Sequence, residues 1–159
     1  MLYHKAMREY MDEGHLQLIP AEELRNSKGR EDQIFYLPHH YVEKASSTTE
    51  LRVVQDGSAD STSGKSLNDI LQVGPTLQPD LATTLSRFRE NKIAFSADIK
   101  KFFLKIGVKK KHQDFLRVLW RENPGEPVRE YRFTCVVFGL ASSPYLAMKT
   151  LQQLAENEE

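Results

Sequence analysis

An α+β domain is the fold class that these 159 residues predict, and three observations carry it. Apolar residues recur at helical spacing near both ends of the chain, and between them apolar and polar residues alternate with a period of two. The two patterns also follow one another without the regular βαβ repeat of a doubly wound sheet. With 40% hydrophobic and 28% charged residues, the chain is long and apolar enough to bury the core of one domain. It contains no run of about 18 apolar residues, and Met1-Leu-Tyr-His-Lys5 lacks a signal-type apolar stretch, so a soluble, intracellular protein without membrane contact is expected.

Tyr3, Ala6, Met7, Tyr10 and Met11 stand at i, i+3, i+4, i+7 and i+8, which predicts an amphipathic helix over residues 2–13, closed by Gly14. Residues 21–33 are polar without a period and predict a loop. Residues 34–42 look extended, with a break at Pro38. His39 and His40 are adjacent there, so a strand turns them to opposite faces, which is a poor arrangement for gripping one metal ion. Leu51-Arg-Val-Val54 reads as a short strand and residues 55–66 as a Gly/Ser/Asp-rich loop. Ser66 and Asp69 have the spacing of a capping box, with Asp in place of the usual Glu, for a brief helix over residues 67–71 that ends before Gly74-Pro75.

Pro79, Leu81, Leu85 and Phe88 predict a helix that stops near Asn91. Ile93, Phe95 and Ala97 then alternate with Ala94, Ser96 and Asp98, which predicts a half-buried strand delivering Asp98 at its C-terminal end. A carboxylate so placed is either a metal ligand or a turn residue or helix cap, and this stretch alone does not choose. Phe102, Leu104, Ile106 and Val108 predict a turn followed by a second extended run, and Lys109-Lys-Lys111-His112 an exposed turn. Strands over residues 115–120 and 128–137 flank the turn Asn123-Pro-Gly-Glu-Pro127 as a hairpin, with Tyr131, Phe133, Cys135 and Val137 on one face. Cys135 is the single cysteine, so it has no disulfide partner and reads as a small core residue. Ser143-Pro144 reads as an N-cap with proline at the first helical position, followed by the stripe Leu146, Thr150, Leu151 and Leu154.

The net charge of zero hides an asymmetry. Residues 87–132 hold 13 Lys and Arg against 6 Asp and Glu, a surplus of 7, while the remainder holds 9 against 16. Such a region suits a polyanionic partner and, equally, a solvated face.

Six ordered blocks carry a resemblance: Tyr36-Leu-Pro-His-His40, Leu51-Arg-Val-Val-Gln-Asp56, Ser66-Leu-Asn-Asp69, Val73-Gly-Pro-Thr-Leu-Gln-Pro-Asp80, Ala97-Asp-Ile-Lys-Lys101 and Phe138-Gly-Leu-Ala-Ser-Ser-Pro144. Together they closely resemble the reverse transcriptase of BEL/Pao-type LTR retrotransposons over nearly the whole chain. The resemblance implies the fingers and N-terminal part of the palm of a right-hand polymerase. Residues 1–33 would be an N-terminal helix and polar loop, 34–92 a fingers-like region, and 93–159 a partial palm.

By the same resemblance Asp98 is the first catalytic aspartate and a ligand of two Mg²⁺ ions, with the backbone carbonyl of Ile99 beside it. The chemistry of two cations activating a primer 3′-oxygen requires hard oxygen ligands of this kind. Phe103 falls at the steric-gate position that selects dNTP over rNTP, or is a plain core phenylalanine. Arg52 matches the fingers arginine that grips the triphosphate, a task suited to a guanidinium fork. Lys44 is a second phosphate contact or a solvated lysine. Gly139, Ser143 and Pro144 belong to a turn and helix start that support template and nucleotide. Phe138 stands where many retroviral enzymes have glutamine, which leaves it a packing or stacking role.

The family's other two metal-binding aspartates lie in a Tyr-x-Asp-Asp hairpin, and that motif does not occur in this sequence. One carboxylate of three cannot hold two cations in catalytic geometry, so the chain alone is expected not to polymerise. The expectation is therefore part of an RNA-directed DNA polymerase that is cut short. Its partners in the complete enzyme would be primer–template and dNTPs, and the rest of the Pol polyprotein (remaining palm, thumb, RNase H and integrase) is absent here. For an active element its place would be the cytoplasm, in virus-like particles; for an inactive one the sequence assigns no place beyond the cell interior. The alternative is a non-catalytic relic that binds nucleic acid through the basic region 87–132, or that retains no function.

Overall fold

The computed structural model describes residues 2–43 and 51–158, and mixes helices with small antiparallel sheets, as an α+β class requires. Helix α1 (Leu2–Asp12) buries Met7 and Tyr10, the centre of its predicted stripe, and Gly14 ends it at a φ of +75°. Strand β1 (Leu16–Leu18) follows at once. Strands β2 (His39–Glu43) and β3 (Leu51–Gln55) form an antiparallel ribbon in which Val42 faces Arg52. Strands β4 (Arg117–Trp120) and β5 (Arg129–Phe133) make the predicted hairpin, and β1 pairs with the other side of β5, giving the order β1-β5-β4.

The core lies where α1 and β3 meet this sheet. Met7, Val53, Val118 and Phe133 are each 1% exposed or less. Past β5, Val108 N–H donates to the Thr134 carbonyl at 2.8 Å and Val136 N–H to that of Ile106 at 2.9 Å, so only the end of the second predicted extended run, residues 106–108, meets the chain beyond β5, through an isolated bridge; Phe102 and Leu104 lie instead in a 3-10 turn over Phe102–Lys105. Cys135 is buried there, and desolvation pushes its thiol up to about 12, as befits a small core residue. At the far edge Tyr3 packs against Tyr41 and Trp120. The Tyr3 hydroxyl meets His39 Nδ1, while His39 Nε2 lies 3.1 Å from the Leu119 carbonyl. A carbonyl only accepts, so Nε2 donates. Burial, then the neighbouring Tyr10, pushes the Tyr3 phenol up to about 12, so it remains a donor.

The polar run over residues 21–33 is not one loop. Helix α2 (Ala21–Asn26) starts after Pro20 with Glu22 and Glu23 in its first turn, and Glu31–Gln33 form a 3-10 turn. Carboxylates and a preceding proline favour a helix start, and six residues are too few to show a stripe. The capping box is present: Asp69 N–H donates to Ser66 Oγ at 3.2 Å and Ser66 N–H to the Asp69 carboxylate at 2.8 Å, opening α3 (Leu67–Ile70). Helix α4 (Leu81–Glu90) is capped by Asp80, whose carboxylate accepts from Thr83 N–H at 2.9 Å. Its stripe is uncovered, with Leu81, Leu85 and Phe88 about half exposed or more.

The largest departure follows. Residues 93–98, expected as a half-buried strand, join no sheet, and Ile93 and Phe95 are 82% and 90% exposed. Alternation names the face that a strand would bury; a ladder also needs a partner strand, and no described segment pairs with this one. The expected turn at 109–112 contains the short helix α5 (Lys110–Gln113), and a 3-10 turn over Asp114–Leu116 precedes β4. In α6 (Ser143–Glu158) Ser143 is not the N-cap: it is the first helical residue, and its hydroxyl donates to the Val137 carbonyl at 2.7 Å. Ala147, rather than Leu146 or Leu154, is the buried apolar contact of that helix. Among the described residues no helix is long and apolar enough to cross a membrane.

Candidate functional site

Four side chains singled out from the sequence, drawn from three distant stretches, come together at one place. In β3 the alternation turns Val53 into the core and leaves Arg52 exposed. The Arg52 guanidinium carbon lies 6.0 Å from the centre of the Phe138 ring, and the Phe103 ring lies 4.9 Å from the same ring at an interplanar angle of 41°. The result is a cation and a second, tilted aromatic ring that both pack against Phe138. Beside it opens a cavity of about 370 Å³, lined by Arg52, Phe138, Asp98, Lys100 and Lys101 together with Glu9 and Tyr10 of α1.

A tight turn brings Phe138 there. Gln55 N–H donates to the Phe138 carbonyl at 3.2 Å, and Gly139 takes a φ of +97° so that the chain can pass directly over β3. A Cβ at Gly139 would lie 1.7 Å from the Gln55 carbonyl oxygen, which leaves glycine as the residue that fits. The Asn68 side chain fastens the same turn: its amide donates to the Gly139 carbonyl at 3.1 Å and to Ser58 Oγ at 2.9 Å, and its oxygen accepts from Ala141 N–H at 2.8 Å. Sequence reasoning missed Asn68, although it lies within the Ser66–Asp69 block. Ser143 is buried behind the turn, while Pro144 is exposed and makes no part of the cavity. Ile99 is exposed, and Lys44 lies outside the described residues.

The cavity wall also contains an ion-pair cluster that the sequence did not announce. Lys101 Nζ pairs with Glu13 at 2.8 Å and with Glu9. Burial works against the ammonium charge, but the hydrogen bonds to Glu13 and Glu9 prevail and raise the Lys101 pKa, while the bond from Lys101 lowers that of Glu13.

Asp98 lines the cavity, but among the described residues no group of three or more His, Cys, Asp or Glu is arranged to hold a metal ion. This donor set does not fit two Mg²⁺ ions, because each needs about six oxygen ligands and Asp98 supplies one carboxylate.

The basic region is less basic at its surface than its sequence suggests. Arg117 is 1% exposed and Arg132 6%. Arg117 pairs with Asp114 at 3.0 Å, donates to Ser27 Oγ at 2.9 Å and stacks on Tyr36, while Arg132 pairs with Glu23 at 2.6 Å. Two of its 13 cations are therefore internal struts.

Neither a family model nor a curated protein matches this chain. The assignment of the site rests on its residues.

Proposed function

We propose that this chain is the fingers and partial palm of an RNA-directed DNA polymerase of the BEL/Pao retrotransposon type. In this reading the 370 Å³ cavity is where the incoming deoxynucleoside triphosphate is held. The observation that supports it is the convergence of Arg52, Asp98 and Phe138, which span 86 positions of sequence (138 − 52), on one cavity, with Phe103 packed against the Phe138 ring. A guanidinium suits phosphate oxygens, and the paired rings suit a sugar and base. The cavity has cations for this that its neighbour lacks: a second cavity of about 420 Å³, between α3 and α6, is lined by apolar side chains with Gln72, His112 and two serines.

Primer–template and the remainder of the polyprotein are the partners that this function requires, and the cytoplasm is its place. The two-metal step needs carboxylates beyond Asp98, so the activity assigned to this chain is nucleotide binding.

Equilibrium titration with dATP tests the reading. Arg52→Ala is expected to weaken binding at least about tenfold, the cost of one charge-assisted contact. Phe103→Val is expected to remove the preference for dATP over ATP. Unchanged affinity in the first variant and unchanged sugar preference in the second would sink the assignment.

A further inference from the structure

Lys101 is the single non-glycine residue with positive φ among the described residues, at +55°, a conformation disfavoured for a side chain with a Cβ. Something must hold it there. Its ammonium reaches back 92 and 88 positions to Glu9 and Glu13, on the last turn of α1 and just beyond it. That helix end has no basic residue in its last turn, although cations are favoured at C-termini, so Lys101 supplies from outside the charge that α1 lacks.

Glu9 and Lys101 both line the cavity that holds Arg52 and Asp98. Its cations are Arg52, Lys100 and Lys101 and its carboxylates Glu9 and Asp98, a balance of +1 (3 − 2). One wall of an otherwise phosphate-suited cavity is therefore already neutralised by a carboxylate of the protein itself. The Glu9 and Glu13 side chains are 49% and 38% exposed, so they can swing into water without disturbing the core. An ammonium with three rotatable donors can exchange one anionic oxygen for another.

We propose that Lys101 is a further phosphate-binding residue of this site, held in reserve by Glu9 and Glu13, whose carboxylates stand in for the oxygens of a linear triphosphate. Ligand binding then transfers Lys101 from α1 to the phosphates and releases the α1 end from the 98–104 loop. This rests on the reading of the cavity as a triphosphate site.

The test is calorimetric titration of the 159-residue chain with inorganic tripolyphosphate and with dATP, at fixed ionic strength. Glu9→Gln/Glu13→Gln is expected to bind tripolyphosphate about five- to tenfold more tightly, the competition from two partly exposed ion pairs being removed. Lys101→Met is expected to bind more weakly than the parent, Lys101→Arg to retain binding, and the triple variant to match Lys101→Met. The glutamine pair is nearly isosteric and keeps the fold, which a melting curve checks. If the glutamine pair binds no more tightly while Arg52→Ala still weakens binding, the triphosphate site stands and the role of Lys101 is overturned. If Arg52→Ala changes nothing, or the parent does not bind, the site reading fails and takes this inference with it. Tighter binding of dATP than of tripolyphosphate identifies a nucleotide stacked on Phe138 as the ligand, and equal affinity overturns that choice in favour of bare phosphate.

Discussion

Gly139→Ala attacks the turn on which the candidate site depends. At a φ of +97° a residue with a Cβ costs about 1–2 kcal/mol in backbone conformation alone. The new methyl carbon would also lie 1.7 Å from the Gln55 carbonyl oxygen and 2.9 Å from its carbon, where ordinary contact begins at 3.4 Å. The obstacle is the backbone at the end of β3 rather than a side-chain tip, so either the strand or the turn must move by well over an ångström. Forcing such overlap into a packed region costs about 1–3 kcal/mol. The sum is about 2–5 kcal/mol, a large part of the stability of a small domain. Urea unfolding followed by Trp120 fluorescence measures it, with Gly125→Ala as control, since a Cβ at Gly125 meets no atom within 4 Å. The control should lie within about 0.5 kcal/mol of the parent. An equally small loss for Gly139→Ala, with unchanged slope, would refute the packing of this turn on β3.

Three further outcomes are expected. Arg117→Met leaves Asp114 with Arg132 at 3.7 Å and Glu130 with the Tyr36 hydroxyl, and should cost about 3 kcal/mol, the lower end for a broken buried pair because these partners are retained and are 19% and 30% exposed; a loss under 1 kcal/mol would mean that the cluster is not structural. Ser66→Ala removes a helix cap and should cost about 1 kcal/mol by urea unfolding, and no change would show that the box is idle. Glu13 and Glu23 are held below their ordinary value of 4.5 by hydrogen bonds from Lys101 and Arg132. Their ionised forms therefore favour the fold, a contribution complete above that value and lost as the pH falls through the lowered ones. The melting temperature should drop with acid, and Glu13→Gln/Glu23→Gln should drop less steeply; parallel acid profiles would remove these two groups as the cause.

Local signals were read from the sequence where they are local in fact. The α1 stripe, the Ser66–Asp69 box and the Asn123–Pro127 turn depend on neighbours a few positions away, and each has its predicted form. Residues 93–98 show the boundary of such reasoning, because pairing is a property of two segments and the alternation belongs to one. Arg132 shows another: its partner Glu23 lies 109 positions away, so a count of charges over residues 87–132 sees an unpaired cation where the fold sees a pair. At the site, Arg52, Asp98, Phe103 and Phe138 could be named from sequence blocks, whereas Asn68, Glu9 and Lys101 act across 71 to 92 positions and leave no local trace.

The uncovered stretch from α4 to Lys100 is exposed at nearly every position and contains Arg87, Arg89, Lys92 and Phe95. These are cleavage points for trypsin and chymotrypsin in a segment with little to lose by being cut. The two products would not part easily. The N-terminal piece contributes α1, β1 and β3, and the C-terminal piece β4 and β5. The ladder between β1 and β5, the ring stack of Tyr3 on Trp120 and the Glu23–Arg132 pair all cross the cut. Cleavage there is therefore expected to leave complementary pieces that stay assembled, seen as co-elution of the two on a sizing column.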